Sequence, residues 1–282
     1  MTAIDTTSHR AGTGGSAAAP SSVAVSDVTA VRVLTSEWIK MRSLRSTGLT
    51  LLVAMGSMIA IACLIGWATN NRWPTMSPGE IARFDPISRS LSGVNLAELA
   101  IGVLGVLLIS GEYATGMIRA TLSAVPARLP VLWAKAVLYA VVTFVLMLVA
   151  TLIAFVSGQF FLAGHGTTLA AAGAVSSIIG VAGYLTLVGL LALALGFIIR
   201  STAGGIATYV GLLLVVPRIG ELLPTGWQTA ILPYLPSNAG ASMYTLHPDP
   251  GSLSAGAGLL VLVIWVVVGF AAAAVMLTRR DA

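Results

Sequence analysis

Long apolar segments recur along the chain after Thr47, separated by short polar stretches. About 20 predominantly apolar residues are enough for a helix to cross the hydrocarbon core of a bilayer. The segments show no strict alternation of apolar and polar positions, which favours helices over barrel strands. The pattern predicts an all-α polytopic membrane protein with six transmembrane helices. The predicted spans are Gly48–Ala68, Ser90–Ser110, Pro130–Val156, Val175–Ile199, Ala203–Leu222 and Ala255–Leu277.

Two different segments precede these spans. Residues 1–27 are dominated by Ala, Gly, Ser and Thr, and we expect a disordered cytoplasmic tail. In residues 28–46, apolar side chains recur at helical spacing among basic ones, which predicts an interfacial amphipathic helix. The apolar positions of that helix are Val31, Leu34, Trp38 and Met41. Residues 47–282 then form the predicted six-span membrane domain.

The basic residues predict the orientation of the bundle, because loops rich in Lys and Arg stay cytoplasmic. With the N-terminus inside, the cytoplasmic side holds Arg32, Lys40, Arg42, Arg45, Arg119, Arg128, Lys135, Arg200, Arg279 and Arg280. The opposite side holds only Arg72, Arg83, Arg89 and Arg218. We therefore expect a multi-pass protein of the inner (plasma) membrane with both termini cytoplasmic. Bases dispersed along membrane edges favour contact with membrane lipid and argue against a nucleic-acid partner.

The chain lacks the sequence patterns of common active sites. Its only lysines, Lys40 and Lys135, do not follow glycine, as the phosphate loop G-x-x-x-x-G-K-[ST] requires. Neither an H-E-x-x-H zinc helix nor a G-x-S-x-G nucleophile elbow occurs. Cys63 is the single cysteine, which excludes an intrachain disulfide and a site of several cysteines. We expect a chain that is not an enzyme and holds no cofactor of its own.

Four polar residues within predicted spans are candidates for a transport path or for helix packing. They are Asn95, Glu98, Thr208 and Tyr209. A charge near the bilayer centre costs roughly 2.5–3.5 kcal/mol on insertion scales, so Glu98 must face protein or water, or be protonated. Because no second buried acid or base is evident nearby in the sequence, a hydrogen bond between helices is favoured over a proton relay.

The connection after the second predicted span contains a recognisable motif. Its sequence, Glu112-Tyr-Ala-Thr-Gly-Met-Ile-Arg119, is followed by Ala124-Val-Pro126 and Lys135. It resembles the first cytoplasmic loop of type-2 ABC exporter permeases, whose actinobacterial members carry E-Y-x-T-G-[MT]-I-R. Ser36-Glu-Trp-Ile-Lys40 is similar to the segment before the first span in that group, and Tyr234-Leu-Pro-Ser-Asn-Ala-Gly240 to its last outer loop. The resemblance covers roughly Val31 to the C-terminus.

The resemblance implies a specific assembly. In that family two six-span units form the translocation path, and two separate ABC ATPase subunits, which bind ATP and Mg, dock beneath them. It places Glu112, Tyr113, Thr115, Gly116 and Arg119 in the loop that couples to the ATPase. It places Glu37, Trp38 and Lys40 in the interface helix. A second permease copy or a homologue is the other implied partner.

The predicted path is apolar, which favours a lipophilic substrate such as a drug, a lipid or a peptide antibiotic, and the resemblance implies outward transport. Two alternatives remain open from the residues alone. One is an ion-coupled secondary transporter in which Glu98 titrates. The other is a membrane assembly or sensor protein that transports nothing.

Overall fold

The described part of the chain is helical and contains no strand. A computed structural model describes residues 30–118, 121, 129–247 and 250–279, so the predicted tail at 1–27 lies outside the described residues. The helices in chain order are α1 (Ala30–Ser43), α2 (Arg45–Arg72), α3 (Pro78–Ala82), α4 (Pro86–Ser90), α5 (Val94–Ala114), α6 (Leu129–Leu162), α7 (Ala174–Ile199), α8 (Thr202–Val210), α9 (Val216–Gly220), α10 (Thr225–Ile231), α11 (Pro236–Ala241) and α12 (Ala255–Arg279).

Six of these segments are long and apolar enough to cross a membrane: α2, α5, α6, α7, the α8–α9 pair and α12. The all-α, six-span prediction is therefore confirmed. A helix, α1, precedes them within the segment predicted to lie in the interface. The type of membrane and the orientation of the bundle stay predictions.

The bounds of three spans differ from the predicted ones by four residues or more. Helix α2 begins at Arg45 and ends at Arg72, three and four residues beyond its predicted bounds. Helix α5 begins at Val94, four residues later than predicted, because α4 and a turn occupy the preceding residues. Asp85 caps α4 by accepting a hydrogen bond from the Ile87 N–H at 2.9 Å. Helix α6 continues to Leu162 and, at 34 residues, is about 51 Å long, more than the hydrocarbon thickness.

The fifth span is not one regular α-helix. A π-helical turn, Gly211–Val215, separates α8 from α9. Pro217 lies two residues after this turn. Proline lacks the N–H that would bond to the carbonyl oxygen four residues earlier, and its ring crowds that carbonyl. The wider turn relieves this conflict. A sequence pattern based on hydrophobicity alone predicted an unbroken span here.

Helices α5 and α7 lie at the centre of the bundle. Their membrane-spanning windows are 56% and 72% buried, whereas those of the other spans are 33% buried or less. A Cβ at Gly105 would lie 2.5 Å from the Gly189 carbonyl oxygen, so the two backbones approach closely only because these residues are glycine. The peripheral helices expose apolar side chains outward, as lipid contact requires. The central pair therefore carries most of the internal contacts on which the site residues depend.

Candidate functional site

Four charged side chains from three helices meet at the end of the bundle where α1 packs. This ion cluster consists of Glu37 and Lys40 on α1, Glu112 on α5 and Lys135 on α6. The Lys135 ammonium donates to Glu112 Oε1 at 2.7 Å and to Glu37 Oε2. The Lys40 ammonium donates to Glu37 Oε1 at 2.7 Å and lies 3.6 Å from Glu112 Oε1. The cluster thus contains both lysines of the chain.

Most of the ion cluster is buried. Glu37, Lys135 and Glu112 are 3%, 7% and 8% exposed. Withdrawing an ion from water costs several kcal/mol unless partners compensate it, and here two carboxylates face two ammonium groups, so the cluster is neutral. The Lys40 side chain is 28% exposed and also donates to the Thr121 hydroxyl at 3.1 Å. The cluster therefore extends from the packed interior into the connection that carries the exporter-like motif.

The local sequence explains how α1 reaches this position. Val33, Glu37 and Met41 are four residues apart and form the buried face of α1. Val33 packs against Val131 and Ala134 near the start of α6. The same contact brings Lys135, one residue further along, beside Glu37. An apolar patch thus positions α1 and the ion pairs hold it in register.

The coupling-loop prediction requires correction at its first two residues. Because α5 continues to Ala114, Glu112 and Tyr113 lie on its last turn and not in a projecting loop. Glu112 is buried. The Arg200 guanidinium lies over the Tyr113 ring, with its Cζ 5.0 Å from the ring centre. Thr115 ends the helix and donates to the Gly111 carbonyl oxygen at 2.9 Å.

Gly116 has φ +71°, a left-handed conformation that glycine adopts without strain. The residue therefore turns the chain away from α5, directly after its C-cap Thr115. Arg119 lies outside the described residues. Of the five predicted coupling residues, Glu112 belongs to the ion cluster, whereas Thr115 and Gly116 lie exposed beside it.

The interface-helix residues point in different directions. Glu37, which the resemblance places in the interface helix, is buried in the ion cluster because its carboxylate faces Lys135. Trp38 is 45% exposed on the other face of α1. Lys40 is only partly exposed, between the buried ion cluster and the exposed face of the helix. The sequence assigned no contact to Lys135. The sequence signal for such a contact was a lysine near the start of an otherwise apolar helix, because a buried lysine side chain requires an acidic partner.

A second polar group lies within the bundle around Glu98. Its carboxylate, 4% exposed, accepts a hydrogen bond from the Tyr184 hydroxyl on α7. The Tyr209 hydroxyl on α8 donates to the Glu98 carbonyl oxygen at 2.9 Å. The Tyr139 hydroxyl on α6 donates to the Ile101 carbonyl oxygen at 2.7 Å. Side chains from three helices therefore bind one turn of α5, and the interhelical hydrogen bond predicted for Glu98 is present.

Glycines make room for these three tyrosines. A Cβ at Gly102 would overlap the Tyr209 ring, one at Gly189 the Tyr139 hydroxyl, and one at Gly240 the Tyr184 ring. All three rings are almost fully buried. Each ring can therefore lie directly against a neighbouring helix backbone, which places its hydroxyl within reach of α5.

The other two path candidates do not join this group. Asn95 and Thr208 are exposed on the outer faces of α5 and α8, and Thr208 donates to the Gly204 carbonyl oxygen of its own helix at 2.9 Å. Glu98 and Tyr209 are thus brought together, whereas Asn95 and Thr208 are not. Within the described ranges, no lysine or arginine pairs with Glu98, and no group of three or more His, Cys, Asp and Glu residues could hold a metal ion.

We expect Glu98→Gln to leave assembly and thermal stability largely intact and, if the chain is a transporter, its flux as well. The amide oxygen of glutamine can still accept a hydrogen bond from the Tyr184 hydroxyl, while the titratable group is lost. Tyr184→Phe should instead cost about 1–3 kcal/mol, because it leaves a buried carboxylate oxygen without its donor. Thermal unfolding in detergent and flux in proteoliposomes would measure both. Loss of flux in a normally inserted Glu98→Gln protein would favour the ion-coupled alternative.

No protein-family model matches this chain, and no curated protein matches it at a significant level.

Proposed function

We propose that this chain is the permease subunit of an ATP-driven ABC exporter, working with a separate ATPase subunit. The observation that carries the proposal is the ion cluster, which lies at the base of the connection that resembles an exporter coupling loop. A transporter without its own ATPase needs a rigid structure that responds to the movement of a partner. The cluster and the connection together fit that requirement.

The ion cluster suits the transmission of movement because it joins three helices. Lys135 ties α1 to α5 through two buried carboxylates, and Lys40 ties the same group to Thr121. Packed interiors are stiff, so a displacement at the connection is passed to the elements it contacts. Movement of an ATPase against residues 115–128 would therefore displace α5 and α1 together. Helix α5 is one of the two central helices, so its displacement would be passed on to the helices packed around it.

The remaining partners follow from the same proposal. ATP and Mg bind the ATPase partner, and this chain is not itself an enzyme. A second copy or a homologue completes the path, with the outer faces of α5 and α8 toward it, where Asn95 and Thr208 are exposed. Both termini lie in the cytoplasm, and the exposed face of α1 contacts lipid through Trp38.

The proposed cargo is lipophilic, namely a drug, a lipid or a peptide antibiotic. The exposed membrane-spanning faces are dominated by apolar side chains, and the carboxyl group of Glu98 is buried away from them. A path along such faces offers little compensation for removing a strongly charged solute from water. Outward transport is the direction implied by the resemblance.

The test is charge reversal at Arg119 in complexes isolated with mild detergent. We expect the normal protein to retain an ABC ATPase, and Arg119→Glu to lower both ATP hydrolysis and export, because it replaces attraction by repulsion at the contact. Arg83→Glu, the same substitution at an exposed position at the opposite end of the bundle, is the matched control and should change neither. Hydrolysis and flux would be measured in parallel in proteoliposomes.

Three outcomes would contradict the proposal. If Arg119→Glu left hydrolysis and flux unchanged while the ATPase stayed bound, the connection would be a simple linker. If no ATPase co-purified and transport proceeded without ATP, the chain would be a secondary transporter. The absence of any flux would favour the assembly or sensor alternative.

A further inference from the structure

A groove of about 230 Å³ lies at the end of the bundle opposite α1. Its walls come from the last two turns of α2 and from the α3–α4 segment that covers them. The lining residues are Ile65, Ala68, Thr69, Arg72, Met76, Glu80 and Arg89. It is independent of the ion cluster and of the Glu98 group, and the proposed function does not use it.

Two arginines give the groove an excess of positive charge. Arg72 ends α2 and Arg89 lies in the last turn of α4, so different elements direct both guanidinium groups to one cavity. Within the described ranges, no ion pair or side-chain hydrogen bond occupies the Arg89 guanidinium. Two of the four arginines expected on this side of the membrane, where positive charge is disfavoured, therefore share one groove.

Glu80 offsets only one of these charges. Its Oε2 accepts hydrogen bonds from the Ser77 main-chain N–H and hydroxyl, each at 2.8 Å. These bonds, with a smaller contribution from the nearby Arg72 charge, lower the pKa of Glu80 and keep it ionised. The carboxylate is thus held by its own capping box and not by a bidentate arginine pair. The groove retains a net charge of about +1 near neutral pH.

One wall of the groove is a single face of α2, because its lining residues on that helix recur at helical spacing. Ile65 and Ala68 are partly exposed along its lower wall, and the neighbouring Leu64 and Trp67 are exposed on the same helix. An apolar wall leads upward to a basic rim within two helical turns, about 11 Å. That gradient matches an amphiphile whose chains lie along α2 and whose head group reaches the arginines. A fully water-soluble anion would make no use of the lower wall.

We propose that this groove binds an anionic phospholipid of the bilayer, with Arg72 and Arg89 contacting its phosphate and Ile65 and Ala68 contacting the start of its acyl chains. A single phosphodiester charge complements the net charge of the groove. Guanidinium groups form paired hydrogen bonds with phosphate oxygens, which suits two arginines that converge on one cavity. The cavity accommodates the head group and leaves the chains in the membrane. The proposal holds whether or not the chain is an exporter permease.

The test measures lipid affinity by native mass spectrometry of the full-length protein, titrated with phosphatidylglycerol or phosphatidylcholine. We expect the unmodified protein to prefer phosphatidylglycerol. The Arg72→Gln/Arg89→Gln variant should bind phosphatidylglycerol about thirtyfold more weakly, while its affinity for phosphatidylcholine stays the same. Arg83→Gln/Arg218→Gln removes the same charge from exposed positions outside the groove and should retain the preference.

Two further arms complete the test. Arg72→Lys/Arg89→Lys keeps the charge but loses the paired hydrogen bonds, so it should keep a preference for phosphatidylglycerol at an affinity between those of the unmodified protein and the glutamine variant. This intermediate affinity guards against a folding defect in the glutamine variant. Glycerol phosphate, which has the anion without chains, should not compete at millimolar concentration. Equal weakening by both double glutamine variants, effective competition by glycerol phosphate, or no preference in the unmodified protein would each overturn the proposal.

Discussion

Replacing Lys135 by methionine should destabilise the folded protein by about 3–5 kcal/mol. The substitution keeps an apolar chain of similar length but removes the ammonium that lies between Glu37 and Glu112. Two buried carboxylates then share only Lys40, which is partly exposed and 3.6 Å from Glu112. The measurement is the free energy of unfolding in detergent, from denaturant or thermal unfolding. If the proposed function is right and α1 and α5 must move together, export should be lost as well.

The interpretation of this loss depends on two comparisons. Glu37→Gln/Glu112→Gln/Lys135→Met removes the uncompensated charges as well, and it should recover a large part of the stability without restoring coupling. Arg42→Met removes a positive charge from an exposed position on α1 and should change the free energy of unfolding by less than about 0.5 kcal/mol. A loss of less than about 1 kcal/mol in Lys135→Met would mean that water solvates the two remaining carboxylates. The ion cluster would then not hold α1 rigidly against α5.

Gly102→Ala should destabilise the protein by about 1–3 kcal/mol although alanine is the better helix former. The added Cβ would occupy the space of the Tyr209 ring, which is fully buried between α5 and α8. The ring can move only by giving up its hydrogen bond to the Glu98 carbonyl oxygen. Thermal unfolding in detergent would report the loss, and crosslinking between α5 and α8 would report the displacement.

Gly56→Ala on α2 is the matched control, because a Cβ there meets nothing within 4 Å. It should be neutral or slightly stabilising, since it gains helix propensity without a clash. Gly102→Ala/Tyr209→Leu should recover part of the loss, because the smaller side chain leaves room for the new methyl group. If Gly102→Ala behaved like Gly56→Ala, the close contact between Tyr209 and α5 would not be a determinant of stability.

The candidate site was only partly predictable from the sequence. Helical spacing predicted α1, and the motif pointed to Glu112, Glu37 and Lys40. Nothing in that reasoning placed Lys135 between the two carboxylates, because the residues are 98 and 23 positions apart along the chain. Hydrophobicity also placed the end of the second span at Ser110, which made Glu112 look like a loop residue. The four-residue shift of α5 turned it into a buried one.

The sequence by itself determined the class of the protein: an all-α, six-span membrane protein preceded by a further helix. The length and apolarity of a span are local properties of the sequence, and the thickness and apolar interior of the bilayer set the values they need. Tertiary structure decided which polar groups meet. Glu98 with Tyr184, Tyr209 with the α5 backbone, and the ion cluster all depend on helices from distant parts of the chain. The groove at Arg72 and Arg89 likewise exists only because α3 and α4 fold back over the end of α2. Such contacts depend on how each helix is rotated and how deeply it packs. The hydrophobic pattern predicts which face of a helix is buried, but it does not predict which residue of another helix that face contacts.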